Sequence, residues 1–431
     1  MVSWSSMSSK AKQPFFYGWF VAVTCLLIYF FANGMALFVP QNMFPRFMET
    51  FNATEGQVSL TTGLMFGLAG IMAPVAGALV DRFGPLKIIR IGLCVLAICF
   101  TAYPFAQSIQ QLYVLHIGLA MGLILGGLLI HVVLLSNWFI RCRGTLIGLL
   151  VAMSSMGGLI LPNVISPLVN DPEYGWRWGF GALTIAFWLF ALLPGFLLIK
   201  ERPSDVGQHP DGKAAEEKVA NSNQPNVLDG VPFARAIRSR TLWTLAIGSA
   251  CLWFTFQAVN SQITIYLELE AGLTPENATR LYSMIFGFSV AGKFLFGVIS
   301  DRFPKRRVMQ ITSALLLAGC LLLFTLNQGG ISLATSPVQL GIFTIIFGLG
   351  YGGSFTMIQL VCIESFGQRA LGKLLGIIIC IDSFGGMLGT ILTGQLKTNT
   401  GSYLTSFSIV VAVAFVALIN VMLIKPVEPE A

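Results

Sequence analysis

Charged side chains are scarce in this chain. Lys and Arg number 26 and Asp and Glu 19, together 10% of 431 residues, where a soluble domain carries about 25%. So few charges cannot cover a water-facing surface, which excludes an ordinary soluble domain. Cysteines number eight, at 25, 94, 99, 142, 251, 320, 362 and 380, with no CxxC spacing. Neither a disulfide framework nor a zinc site follows from that scatter. Histidines number three, and no nucleophile–base or metal-ligating cluster is visible, so no enzyme and no cofactor are expected. No GxxxxGK[ST] stretch occurs, which argues against ATP-driven chemistry. Glycine runs such as "GFGALTIAF" follow no strand and read as helix packing rather than a dinucleotide site.

Apolar residues are abundant instead, at 55% with a mean hydropathy of +0.77. A bilayer core needs roughly 20 apolar residues per spanning helix. Twelve stretches meet that length: 16–40, 57–80, 86–107, 110–139, 144–168, 176–200, 241–267, 279–300, 307–327, 336–363, 371–396 and 402–425. They are numbered helix 1 to helix 12 below. The expected class is an all-α integral membrane protein. No small-residue cleavage site follows the first stretch, so it reads as a retained helix rather than a signal peptide.

The basic residues give the orientation. With the N-terminus inside, 21 of the 26 fall in cytoplasmic segments, only Arg46, Arg177, Arg280 and Lys397 face out, and Lys293 is left within the membrane. That bias predicts both termini cytoplasmic. It also turns the pI near 9 away from nucleic acid, because the basic residues sit in short loops between spans.

Residues 201–239 are polar and rich in Pro, Gly and Asn, which reads as a flexible linker. The division expected is an N-terminal six-helix bundle over 1–200, the linker over 201–239 and a C-terminal bundle over 240–431. "VPFARAIRSR" ahead of helix 7 reads as a topogenic anchor. The halves repeat. "GALVDRF" (77–83) recurs as "GVISDRF" (297–303), and "RGTLIGLLVAMSSMGG" (143–158) matches "LGKLLGIIICIDSFGG" (371–386). Duplicated six-helix units are the plan of many secondary transporters, whose ligand site lies at the repeat interface near mid-membrane.

Charges buried in apolar helices mark function by default, since each costs about 2.5–3.5 kcal/mol or more at a helix centre. Lys293 on helix 8 lies eight residues before Asp301, about 12 Å deep at 1.5 Å per residue. Asp382 on helix 11 lies nine residues past Lys373, about 14 Å deep. His131 on helix 4 lies eight before Phe139, again about 12 Å. Lys293 reads as an anion-binding cation and Asp382 as a nearby proton acceptor. The other reading is a buried ion pair that only orders the C-terminal half. Asn33 on helix 1, Gln257 and Asn260 on helix 7, and Tyr351 on helix 10 are neutral candidates to orient substrate or merely to bond across helices. The glycines around Tyr351 in "GLGYGGSF" leave room beside it.

"GALVDRFG" between helices 2 and 3, with its echo between helices 8 and 9, resembles the hallmark loop of the major facilitator superfamily. "FYGWFVA", "NWFIRCRGTLIGLLVAMSSMGG", "GWRWGF" and one cation eight residues before the helix 8 aspartate resemble its monocarboxylate porter and oxalate–formate antiporter branch. The resemblance implies twelve helices in two pseudo-symmetric bundles, a carboxylate held at the helix 8 cation, and a cytoplasmic gate made by Asp81, Arg82, Asp301 and Arg302. Three positions depart from the branch: Lys293 replaces its usual arginine, Ser289 stands where an aspartate precedes that cation, and Gln41 stands where a lysine follows the proline of helix 1.

The expected activity is therefore secondary transport of small monocarboxylates such as lactate or pyruvate, coupled to protons, by a monomer in a cell membrane, bacterial inner membrane before eukaryotic plasma membrane. Substrate and proton would enter together, the anion replacing a protonated Asp382 as partner of Lys293. Alternatives are oxalate–formate-type anion exchange, transport of a larger carboxylate or aromatic substrate, and a nutrient receptor on a transporter scaffold.

Overall fold

The computed structural model describes residues 15–212, 230–328, 337–367 and 369–424. Among the described residues twelve helices are long and apolar enough to cross a membrane. They are helix 1 (Gly18–Asn42), helix 2 (Glu55–Phe83), helix 3 (Pro85–Phe105), helix 4 (Ile109–Trp138), helix 5 (Arg143–Val169) and helix 6 (Gly175–Leu197). After the central segment come helix 7 (Arg240–Glu270), helix 8 (Pro275–Ser300), helix 9 (Lys305–Gln328), helix 10 (Pro337–Phe366), helix 11 (Leu371–Thr400) and helix 12 (Tyr403–Leu423). Each expected stretch coincides with one of them. The ends differ by a few residues because polar first turns carry no hydropathy signal. Helix 2 begins with a capping box, in which Thr54 and Gln57 satisfy each other's backbone N–H groups. It stops at Gly84, whose φ of +82° suits only glycine, and Pro85 then opens helix 3.

Large apolar side chains such as Ile98, Val114, Trp178 and Val298 are exposed on the outside of the molecule, as a lipid-facing surface requires. Inside, two apolar clusters form. One joins residues 21–199 with Ile265, and the other joins residues 236–424 with Phe38. The two residues that cross over show where the bundles touch.

The bundles meet chiefly along helix 2 against helix 11 and helix 5 against helix 8. Helices 1 and 7 add polar contacts at the end of the molecule carrying the 1–2, 7–8 and 11–12 loops, here termed the odd-loop end. The opposite, even-loop end carries the 2–3, 4–5, 8–9 and 10–11 loops. Small residues allow the close approaches within each bundle: a Cβ on Gly157 would lie 3.0 Å from Gly34 Cα, and one on Gly389 would lie 2.9 Å from Phe254 Cα.

The 201–239 segment is not free along its length. Gln208 accepts a hydrogen bond from Tyr17 N at 2.9 Å and donates to Phe15 O at 3.0 Å. Asp211 accepts from Ile140 N at 3.0 Å and Arg141 N at 3.2 Å. At the other end Val231 N donates to Phe366 O at 2.9 Å. The polar composition predicted flexibility because it carries no packing signal, whereas among the described residues one end is held by the Gln208 and Asp211 side chains and the other by a backbone hydrogen bond. The loop cations Lys10, Lys12, Lys213, Lys218 and Lys425 lie outside the described residues.

Candidate functional site

Lys293 is buried, with 8% of its surface exposed, and its neighbours come from two other helices. Its Nζ donates to Ser155 Oγ at 2.7 Å and to Val151 O at 3.2 Å, both on helix 5 of the other bundle. It also lies 4.8 Å from the centre of the Phe355 ring on helix 10, within cation–π range. Ser155 Oγ is in turn 3.4 Å from Ser289 Oγ, so the serine standing at the branch's aspartate position belongs to the same cluster. Among the described residues no carboxylate forms an ion pair with Lys293. The ammonium is held by a hydroxyl, a carbonyl and a ring face.

Asp382 is also buried, and its Oδ1 accepts a hydrogen bond from Ser249 Oγ on helix 7 at 2.6 Å. The two charges thus keep separate partners, and the expected resting pair of Lys293 with Asp382 is not the arrangement of this conformation. The sequence offset placed both at mid-depth, but depth alone does not set which way a side chain leaves its helix.

The level of both charges coincides with the edge of the contact between bundles. On helix 2 an added Cβ at Gly63 would lie 2.8 Å from Ile391 Cδ1, and one at Gly70 would lie 3.1 Å from Ser383 Cβ. On helix 8 one at Gly287 would lie 3.3 Å from Leu159 Cδ1, one turn on the odd-loop side of the Ser155–Ser289 contact. Residues three or four apart share a helix face. By that spacing Gly144 and Gly148 continue the face of Val151 and Ser155, Gly297 that of Lys293, and Gly372 and Gly376 that of Ser383. A Cβ at any of these five glycines would meet nothing within 4 Å. The bundles therefore touch from the odd-loop end down to Lys293 and part below it, leaving Lys293 and Asp382 at the apex of a cleft that opens at the even-loop end.

The odd-loop end is closed by polar contacts across the bundles. Asn260 Nδ2 bonds Gln41 Oε1, Gln262 Nε2 donates to Ser59 Oγ at 2.6 Å, and Asn42 Nδ2 donates to Thr279 Oγ1 at 3.2 Å. Arg46 pairs with Glu268, and Thr398 Oγ1 donates to Glu55 Oε2 at 3.1 Å. Gln41, where the branch carries lysine, is thus part of this seal.

The remaining candidates spread around the cleft. Tyr351 stacks on Phe256 with ring centres 3.5 Å apart. The glycines beside it do not leave open space: Gly352 lies against the backbone of Ser289 on helix 8 and Gly350 against Leu316 on helix 9. Gln257 is buried with Oε1 unpartnered, and an added Cβ on Gly386 would reach both its Cγ and the Phe66 ring, at 3.3 and 3.5 Å. Asn33 Nδ2 donates to Tyr29 O in its own helix at 2.9 Å. His131 is fully buried beside a break in helix 4 at Gly126–Gly127. Its Nδ1 bonds Gly127 O at 2.9 Å, its ring packs edge-on to Tyr29 at 5.6 Å, and Nε2 has no partner. No contact joins His131 to Lys293.

At the even-loop end Arg82, Asp301 and Arg302 are exposed, and neither Asp301 nor Arg302 makes an ion pair with a described residue. The Asp81 side chain lies outside the described residues. Sequence reasoning missed Ser155, Ser249, Phe355 and the Arg46–Glu268 pair. The internal repeat held a partial signal, because the offset of 228 pairs Ser154 and Ser155 with Asp382 and Ser383.

A model of the Major Facilitator Superfamily matches residues 26–329 and 280–431. Among similar proteins, "Monocarboxylate transporter 13" of Bos taurus is 26% identical over 422 residues, covering 95% of this chain and 89% of that protein. "Agnestins efflux protein AgnL12" of Paecilomyces divaricatus is 23% identical over 332 residues, covering 76% and 68%. A solved bacterial homolog of the human lysosomal transporter Spinster, in an inward-facing and occupied conformation, has a TM-score of 0.72 at 16% identity, covering 95% of this chain and 97% of that one. That likeness bears on the fold alone.

Proposed function

The chain belongs to the Major Facilitator Superfamily, a multi-pass membrane transporter and not an enzyme, and on that premise we propose that it moves small monocarboxylates of the lactate and pyruvate kind together with a proton. The observation that carries this reading is the Lys293 ammonium, buried at the cleft apex with only neutral partners. A buried cation without a counter-ion is costly, and an entering carboxylate removes that cost. One cation suits one negative charge, so a monoanion fits better than a dianion. The name of the bovine relative supports the same class.

Asp382 is the proton carrier in this reading. It sits at the same level, bonded to a single hydroxyl, and because it is not the partner of Lys293 it takes a proton without giving up an ion pair. The bundles over 1–200 and 240–431 rock about the substrate, joined by 201–239. With the even-loop end cytoplasmic, this conformation faces inward, and the exposed Asp301 and Arg302, with Asp81 and Arg82, form the gate that closes when the odd-loop end opens. Tyr351, Gln257, Asn260, Asn33 and His131 shape the surrounding wall.

A larger aromatic carboxylate is the second reading. Phe66, Trp253 and Phe355 form a row beside Lys293, with ring centres 6.2 and 5.9 Å apart, and a row of rings can stack on a planar substrate. The test is uptake of labelled lactate, pyruvate, oxalate and formate into proteoliposomes, with and without an inward proton gradient. Gradient-stimulated lactate or pyruvate uptake, abolished by Lys293→Ala, is expected. Uptake accelerated only by anion preloaded inside would replace symport by exchange, and failure of all four anions alongside uptake of labelled benzoate would favour the aromatic reading.

A further inference from the structure

We propose that Ser155 is a positioning residue that aims the Lys293 ammonium at the anion, an inference resting on the carboxylate reading above. An ammonium has three N–H donors. Two are used within the protein, one on Ser155 Oγ at 2.7 Å and one on Val151 O at 3.2 Å. The third has no hydrogen-bond acceptor among the described residues; beside it lie the Phe355 ring, its centre 4.8 Å from Nζ, and the half-buried Val151 and Ser154. Helix 5 therefore acts as a mount. It leaves one donor free and fixes its direction, so the amine presents a single charge-assisted hydrogen bond to one carboxylate oxygen.

Two further facts single out Ser155. It is fully buried, so it has no solvent role, and its Oγ lies 3.4 Å from Ser289 Oγ. The Ser155 hydroxyl can direct its own proton to Ser289 while its lone pair receives the ammonium. That polarity lets the hydroxyl receive a cation at 293 while keeping an acceptor at 289. A lysine side chain has four rotatable bonds and a compact head, so a lysine here needs an external mount to hold its direction, whereas a guanidinium brings its own fork. The mount also belongs to the opposite bundle. Anion affinity thus depends on helices 5 and 8 staying in contact at this level, which ties binding to the conformation.

The test uses full-length protein in proteoliposomes, with lactate and formate as probes, comparing the wild type with Ser155→Ala, Ser155→Thr and Lys293→Ala. Ser155→Ala is expected to raise KM for lactate and formate alike by roughly tenfold, about 1.4 kcal/mol, with Vmax within about twofold. Ser155→Thr, which keeps the hydroxyl, is expected to return KM to near the wild-type value. Ligand-induced rise in Tm provides a second reading of affinity that needs no transport, and it should shrink in Ser155→Ala even if its ligand-free Tm is altered. An unchanged KM in Ser155→Ala, alongside loss of response in Lys293→Ala, would overturn the mount and leave the carboxylate reading standing. A KM rise for lactate without one for formate would also overturn it, because the hydroxyl would then be reading the 2-hydroxy group directly. If neither anion is transported by the wild type or raises its Tm, the carboxylate reading fails and the mount fails with it.

Discussion

The two ends of this molecule are made by the same pairs of helices and meet opposite fates. At the odd-loop end helices 1 and 7, 2 and 11, and 5 and 8 are in contact across the bundles. At the even-loop end the continuing faces of helices 5, 8 and 11 show glycines against open space. The sealed end joins apolar contacts such as Phe38 on Phe286 to a set of polar ones. The polar contacts run through Gln41, Asn42, Ser59, Asn260, Gln262 and Thr279. Several polar atoms there have no partner, among them Gln41 Nε2, Asn42 Oδ1, Asn260 Oδ1, Thr264 Oγ1 and Ser283 Oγ. An unmet buried polar group costs about 1–3 kcal/mol, and water would satisfy these atoms if the end opened. Unmet atoms of this kind offset part of the closing contacts. The difference teaches that alternation is built from imperfect polar closure on one side and from small residues waiting for closure on the other.

The largest effect should come from refusing the odd-loop end its opening. Asn42 and Thr279 hydrogen-bond across the bundles at 3.2 Å. With the native cysteines replaced, Asn42→Cys with Thr279→Cys should cross-link under mild oxidant, reduce uptake to background, and recover on reduction. Uptake that persists through complete cross-linking would mean this end need not open at all.

A smaller effect separates the ends by placing one substitution at each. Leucine at Gly63 drives against Ile391 on helix 11, because even its Cβ would sit 2.8 Å from Ile391 Cδ1. Leucine at Gly297 meets nothing in this conformation but would stand between helices 5 and 8 when the even-loop end shuts. Gly63→Leu should expose the odd-loop end to a polar maleimide several-fold more, and Gly297→Leu should protect it. Measurement is the labelling rate of a single cysteine placed at Asn42. Equal rates in the two variants would break the comparison.

The sequence made some of this legible and hid the rest for physical reasons. Twelve spans were visible because a bilayer imposes length and apolarity on every one. Lys293 was visible because a cation within an apolar helix is costly enough to stand out from its surroundings. Ser155 and Ser249 were not, because a serine in a membrane helix more often bonds its own backbone, as Ser383 does to Ile379 O at 2.8 Å. Glu268 lies just past the expected end of helix 7, and pairing it with Arg46, 222 residues away, needs the packing of two bundles. The break in helix 4 was likewise unread, since Gly126 and Gly127 sit inside an unbroken apolar run. Depth is legible and direction is not, so Lys293 and Asp382 share a level by sequence yet hold different partners in space.

The smallest effect sharpens the comparison through two ion pairs that lie close together at the odd-loop end. Arg46–Glu268 crosses between bundles, with side chains 20% and 8% exposed. Lys397–Glu270, at 2.5 Å, stays within the C-terminal bundle, and Glu270 is 43% exposed. Arg46→Met leaves Glu268 buried without its partner. Breaking a fully buried pair costs about 3–5 kcal/mol, and partial exposure of Arg46 reduces this to roughly 1–2. Because that loss falls only on the closed state, labelling at Asn42→Cys should rise by about tenfold. Lys397→Met removes a pair that moves as one body with its bundle. It should lower Tm slightly while leaving the labelling rate at Asn42→Cys within about twofold. Were both variants to open the end equally, the seal would owe nothing to crossing the bundle boundary, and closure would follow from the total charge at this end.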